Sequence, residues 1–266
     1  MISITSPDRT RPGRPSKLLR RIAIVAGWLA LWHVAALAVG HDLLLVSPVD
    51  VLRTLGSLAQ TADFWSAVWY SFGRIALGFV LAVAVGSGLA AMAGRWTLLA
   101  EILSPVVRAM RSVPVFSFII LVLIWADSSR LSIVISFLMV MPIMYANVLE
   151  GVQQIDQHLL EMAQVFRVRP LRRVIAIDVP GVMPYFTAAC QVGLGLCWKS
   201  GISGEVIGLP TGSIGERLYQ AKILLSTADL FAWTLAIVGI SFAFERAVLS
   251  LLHLANLRLG RALSRR

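Results

Sequence analysis

Apolar residues in this chain are gathered into blocks of about twenty, the length an α-helix needs to cross roughly 30 Å of hydrocarbon. Strands of alternating polarity are missing, so the blocks read as membrane helices and not as a barrel. Composition agrees: 58% of the 266 residues are hydrophobic and 14% charged, with a mean hydropathy of +0.79, outside the range of soluble domains. Six spans are expected, at about Ile22–Gly40, Tyr70–Ala93, Val106–Trp125 with Pro114 inside it, Leu131–Leu149, Val182–Val206 and Leu230–Leu252. The expected fold class is therefore an all-α membrane protein.

The formal charge of +10 raises the question of nucleic acid, and the placement of the charges answers it. Arg9, Arg11, Arg14, Lys17, Arg20 and Arg21 precede the first span, Arg167, Arg169, Arg172 and Arg173 share one central loop, and Arg258, Arg261, Arg265 and Arg266 close the chain. They flank spans, which is a topology signal and not a nucleic-acid surface. The connection between spans two and three is also basic (Arg95, Arg108, Arg111), whereas the first external loop carries Asp42, Asp50 and Asp63 against Arg53. Both termini are expected in the cytoplasm.

Residues 1–21 form a basic tail with Pro7, Pro12, Gly13 and Pro15, expected to be disordered, and 22–266 form the membrane domain. Ala36-Leu37-Ala38 resembles a signal-peptide cleavage site, but an apolar stretch of about 19 residues exceeds a signal core, so a retained span is expected. Cys190 and Cys197 lie seven apart on one predicted helix face and read as small packing residues, with no disulfide framework or metal site. The four histidines are scattered without ligand spacing.

A loop from Glu150 to Pro180 separates spans four and five and is long for a plain connection. Within it, Leu159, Met162, Val165 and Phe166 recur at helical spacing while Glu161 and Gln164 fall elsewhere on the wheel. This predicts a short amphipathic helix outside the membrane, lying on lipid headgroups or filling a groove on a cytoplasmic partner.

Glu161-Met162-Ala163, followed by Val179-Pro180-Gly181-Val182-Met183-Pro184, resembles the EAA loop of binding-protein-dependent ABC importer permeases. Ser47-Pro48, Ser71-Phe72-Gly73-Arg74 with Gly78, Ser104-Pro105, Arg111-Ser112-Val113-Pro114, and Trp198-Lys199 with Glu205 follow in that family's order. Together they look most like its nitrate, sulfonate and taurine branch, over about residues 22 to 255. Two positions depart from the pattern: Met162 stands where the family has alanine, and Arg167 where it has the glycine of a left-handed turn.

The resemblance implies a type I importer permease fold with six transmembrane helices. It also implies a second, plausibly identical permease subunit, a cytoplasmic ATPase dimer that binds ATP and magnesium, and an external solute-binding protein. The ATPase-coupling residues would be Leu159, Glu161, Met162, Ala163, Val165 and Phe166. No phosphate-binding loop occurs in the chain, and Gly208–Gly215 lacks the lysine one would need; that segment reads as an external turn or a contact with the binding protein. No cofactor is expected on this chain.

Lys199 lies roughly 10 Å inside the fifth span, where an unpaired ammonium costs about 2.5–3.5 kcal/mol. Glu205 is six residues on, about 240° round the helix, so an easy pair is not expected. Lys199 with Glu205 is the candidate translocation path, favouring an anionic solute, against snorkelling or pairing with another helix. Arg74 and the Glu245-Arg246 pair read as interface anchors. A secondary transporter would carry a coupling-ion site and paired repeats, and an intramembrane enzyme would need clustered carboxylates, a metal set or a nucleophile with its base. The spans offer neither.

Overall fold

The computed structural model describes the backbone of residues 17–41 and 43–264 and the side chains of 18–41 and 43–257. In chain order its helices are α1 (Lys17–Val39), α2 (Pro48–Leu58), α3 (Ala62–Arg95), α4 (Thr97–Ser112), α5 (Val115–Leu123), α6 (Ser128–Gln153), α7 (Gln157–Val165), α8 (Pro170–Arg173), α9 (Val179–Gly208), α10 (Ile214–Ile223) and α11 (Thr227–Ser264). A π-helical turn, Val174–Asp178, joins α8 to α9. No strand occurs among the described residues. The expectation of a disordered tail falls on residues 1–16, outside the described range, and on 17–21, which open α1.

Among the described residues five helices are long and apolar enough to cross a membrane, and a sixth crossing exists if the bent pair α4–α5 is one span. The expected third span, Val106–Trp125, is therefore not one continuous helix: α4 and α5 meet at 101°. Proline is the cause. Pro114 has no N–H to donate, and its ring drives the preceding residue out of the helical region; Val113 is accordingly extended (φ −75°, ψ 128°).

α6 is the centre of the bundle. On α3, Gly78 faces Ile133, Gly86 faces Met144 and Gly94 faces Val152, and these pairs advance together. α3 and α6 are thus parallel neighbours, which requires the chain to return between them, and α4–α5 make that return. α6 also meets α9, in the opposite sense, with Gly208 against Leu131, Gly193 against Val140 and Tyr185 against Gly151, and Gly201 of α9 reaches Ile75 of α3, so the three helices pack together. Lipid tails are as apolar as leucine, so close packing replaces the hydrophobic effect as the glue between helices. A Cβ on Gly86 would lie 2.8 Å from the Met144 Cβ and 2.9 Å from the Met141 carbonyl oxygen.

α11 seats on α3 and α9 through aromatic rings. Phe244 lies 5.2 Å from Phe72, 6.0 Å from Phe79 and 6.3 Å from Trp198, all edge-on, the geometry that the ring quadrupoles favour. Near the other end Phe64 stacks on Trp233 at 4.9 Å. Cys190 and Cys197 are buried and free in the packed face of α9, matching their reading as small packing residues.

Gly86→Val should destabilise the bundle by about 1–3 kcal/mol through overpacking at the α3–α6 contact, seen as a lower melting temperature in detergent. Gly27→Val, on α1 with open space around it, should leave it unchanged. Equal melting temperatures for both variants would contradict the packing described.

Candidate coupling helix and translocation face

α7 occupies the amphipathic stretch expected from the apolar spacing. Asp156 caps it, its Oδ1 accepting from the His158 N–H at 2.9 Å. The chain leaves through a closed turn: the Val168 N–H donates to the Ala163 carbonyl at 2.9 Å and the Arg167 N–H to that of Gln164 at 3.0 Å. That pattern needs a left-handed residue at its corner, and Arg167 takes it with φ 49°. The turn is thus kept where the family has glycine, at a cost of about 1–2 kcal/mol for a side-chain-bearing residue.

Ala163 is buried, whereas Leu159, Met162, Val165 and Phe166 are all exposed, the last two at 77% and 75%. Glu161 is exposed, with His158 Nδ1 3.9 Å away. Leu171, Val174 and Ile175 extend the exposed apolar surface beyond the residues expected from sequence; three apolar side chains among arginines were the available signal. Behind α7, Leu160 and Gln157 border a cleft of about 940 Å³ between the lower ends of α3 and α9. From there the chain runs as one helical path, Pro170–Gly208, with the π turn just before Pro180. Pro180 supplies no N–H for an i−4 carbonyl, and the Val179 N–H instead reaches the Val174 carbonyl.

α9 presents two unlike faces. Its packed face carries Ala189, Cys190, Leu194, Cys197, Trp198 and Glu205. Its open face carries Gly181, Pro184, Ala188, Gln191, Val192 and Lys199, and a Cβ on Gly195 would meet nothing within 4 Å. The open surface of α1 mixes Leu18, Ile22, Val25, Trp28, Leu29 and Leu31 with Ala23, Ala26, Gly27 and Ala30, and from Ile22 on to Leu31 it carries no polar side chain. Polar groups inside a span do not suit hydrocarbon, so Gln191 and Lys199 make the open face of α9 unlike a lipid surface. Lys199 has no ion-pair partner among the described residues.

The structure does not bring Glu205 together with Lys199. Glu205 is fully buried inside the subunit, where its Oε2 accepts from the Ser71 hydroxyl at 2.6 Å and from the Gly215 N–H at 3.2 Å. The Ser71 Oγ in turn accepts from the Ile214 N–H at 2.9 Å, and the Ser213 Oγ from the Glu216 N–H at 3.0 Å. Three of the four orphan donors that open a helix are thereby satisfied at α10. Gly215 lies against the Glu205 backbone where a Cβ would clash. Gly208–Gly215, read from sequence as a turn, is a turn that leads into this buried helix start. Nearby, the Arg74 Nε donates to the Ser129 carbonyl at 2.6 Å and the guanidinium stacks on Tyr70 at 3.8 Å, so Arg74 ties α3 to the start of α6.

Glu205→Ala strands the Ser71 hydroxyl and the Gly215 N–H, about 1–3 kcal/mol for each buried donor left unpaired. Limited trypsin digestion should then cut faster at Lys222 on α10, and Glu205→Gln, which keeps an acceptor, should lie between the two. Unchanged cleavage in the alanine variant would show that Glu205 does not hold α10.

Residues 75–258 match the family described as binding-protein-dependent transport system inner membrane component. Over 239 residues the chain is 26% identical to the taurine transport system permease protein TauC of Escherichia coli K12, covering 86% of each chain. It is 25% identical over 237 residues to the aliphatic sulfonates transport permease protein SsuC of Bacillus subtilis 168, covering 88% of this chain and 84% of that one. With the bicarbonate transport system permease protein CmpB of a Synechocystis strain it shares 28% over 224 residues, 78% of each. The helical bundle, the loop helix α7 and the match across most of the chain agree: this protein belongs to the binding-protein-dependent inner-membrane transport components, as a permease subunit of an ABC importer.

Proposed function

We propose that the subunit passes a small anion along the open face of α9, and that α7 carries the stroke of a cytoplasmic ATPase dimer into that helix. The observation that supports it is the contrast between helix surfaces: the exposed stretch Ile22–Leu31 of α1 is apolar throughout, whereas Gln191 and Lys199 stand open inside the span on α9. A second permease subunit, identical to this one, would cover that face and leave a hydrated path between the two copies, where Lys199 attracts the solute. The relatives' names, taurine, aliphatic sulfonates and bicarbonate, agree with a solute bearing an anionic group.

ATP and magnesium act on the partner, and an external binding protein delivers the solute. With both termini cytoplasmic, as the arginine distribution indicates, α7 lies on the ATPase side. Closure of the ATPase dimer pulls on Leu159, Met162, Val165 and Phe166; Ala163 and the helical path from Pro170 relay the motion to α9. Outward and inward states then exchange by alternating access, driven by the difference in their stability with and without bound ATP.

Phe166→Asp would place a carboxylate in an apolar contact, and should dissociate or uncouple the co-expressed ATPase, read by co-purification and ATP-dependent uptake. Intact assembly and uptake would move the docking face elsewhere. Lys199→Gln should assemble but lower uptake by about tenfold, if the charge contributes about 1.4 kcal/mol to passage. Lys199→Arg, which keeps the charge, should retain more. Equal uptake by all three proteins at equal abundance would remove Lys199 from the path.

A further inference from the structure

The end of the bundle opposite α7 carries an apolar rim that neither the coupling helix nor the open face of α9 uses. Two turns build it: residues 43–44 follow α1, and Ile223–Leu225 lead from α10 into α11. Leu43, Leu44, Ile223, Leu224 and Leu225 are each between 62% and 76% exposed, more aliphatic surface than a connecting turn in water presents. Both turns lie outside the spans expected from sequence, Ile22–Gly40 and Leu230–Leu252.

The turns are closed, and their polar side chains bond within the chain. At the end of α10 the Ser226 N–H donates to the Ala221 carbonyl at 2.9 Å and the Leu225 N–H to that of Lys222 at 3.2 Å, which seals the helix around a left-handed corner. Leu225 takes that corner with φ 53°, where glycine would sit without strain. The Thr227 Oγ1 donates to the Leu43 carbonyl at 2.8 Å and pins the first turn beside the second. The Ser226 Oγ donates to the Asp229 Oδ2 at 2.6 Å. Hydroxyls and carboxylate are engaged with the chain while the aliphatic side chains stand open, the reverse of a turn built for water.

We propose that this rim is set into the headgroup–acyl boundary of the bilayer, as an interfacial anchor beyond the ends of the spans. Depth and continuity both favour lipid. From Ile22, just after Arg20 and Arg21, to Val39, α1 is about 27 Å long, close to the hydrocarbon thickness of roughly 30 Å. Leu43 and Leu44 therefore leave it at the boundary. Among the described residues α1 and α11 are the spans that the bundle covers least, and the rim joins the end of one to the start of the other. A protein-docking surface is about as polar as the rest of a protein exterior, whereas the rim offers aliphatic carbon. Lys222, next to it in sequence, suits the level of the lipid phosphates. The proposal does not depend on the roles of Lys199 or α7, because it is read without ATP or solute.

Cys190 and Cys197 are replaced by serine, a single cysteine at Leu44 or Leu224 is spin-labelled, and the full chain is placed in nanodiscs of phosphatidylethanolamine and phosphatidylglycerol. Collisions of the label with oxygen, which concentrates in hydrocarbon, are compared with collisions with a water-soluble nickel chelate. Trp28→Cys on α1 gives the lipid reference, and His158→Cys on α7, where the side chain is 91% exposed, gives the water reference. At both rim positions the oxygen-to-nickel ratio should exceed the His158 value at least about fivefold. A ratio within about twofold of the His158 value would leave the rim in water, as a surface kept for an external protein, and would overturn the proposal. Labels that neither reagent reaches would mean that a second copy of the chain covers the rim, which overturns it equally.

Discussion

Hydrocarbon cannot hydrogen-bond, so each polar group kept inside a membrane span must find its partner within the protein or in a water-filled path. Glu205 shows one solution. It is a carboxylate near the C-terminal end of α9 held by Ser71 on α3 and by the Gly215 N–H of α10, and it ties the segment that follows α9 into the bundle. Lys199 shows the other. It stands six residues earlier, about 120° round the same helix, open and without an ion-pair partner among the described residues. One helix therefore has a face that belongs to the fold and a face that the fold leaves unfilled.

The rest of the bundle serves to hold α9 in register. Glycines on α3 bring α6 close, α9 packs against both, and Phe244 locks α11 over α3 and α9. A push at the base of α9 meets a packed neighbour along its inner side and none along its outer side. The π turn at Val174–Asp178 and the prolines at 180 and 184 lie where α7 hands over to that helix. Backbone hydrogen bonds are fewer there, so bending costs less.

Much of this was legible in the residues. Leu159, Met162, Val165 and Phe166 announced α7 by spacing alone, and the family glycine at 167 marked a left-handed turn that the chain keeps with an arginine. The six-residue offset of Lys199 and Glu205 correctly kept them apart. The break at Pro114 was not legible, because α5 is as apolar as a continuous span and periodicity does not register a bend. α2 was missed although Ser47-Pro48 with Asp50 is a sound helix start, Ser47 Oγ accepting from the Asp50 N–H; eleven residues gave no length signal. The partner of Glu205 lies 134 residues away in sequence, a distance that local patterns do not span.

The central claim, that the open face of α9 lines a hydrated path, is tested most directly by labelling single cysteines with a membrane-impermeant thiol reagent in the assembled importer. Cys190 and Cys197 are first replaced by serine, and cysteine is introduced at Gln191 or Gly195, with Trp28 on α1 as the lipid-facing comparison. The account predicts that the α9 positions label and that their labelling changes when ATP is bound, while the Trp28 position stays unlabelled in both conditions. An active importer in which Gln191→Cys and Gly195→Cys remain unlabelled with and without ATP would contradict it.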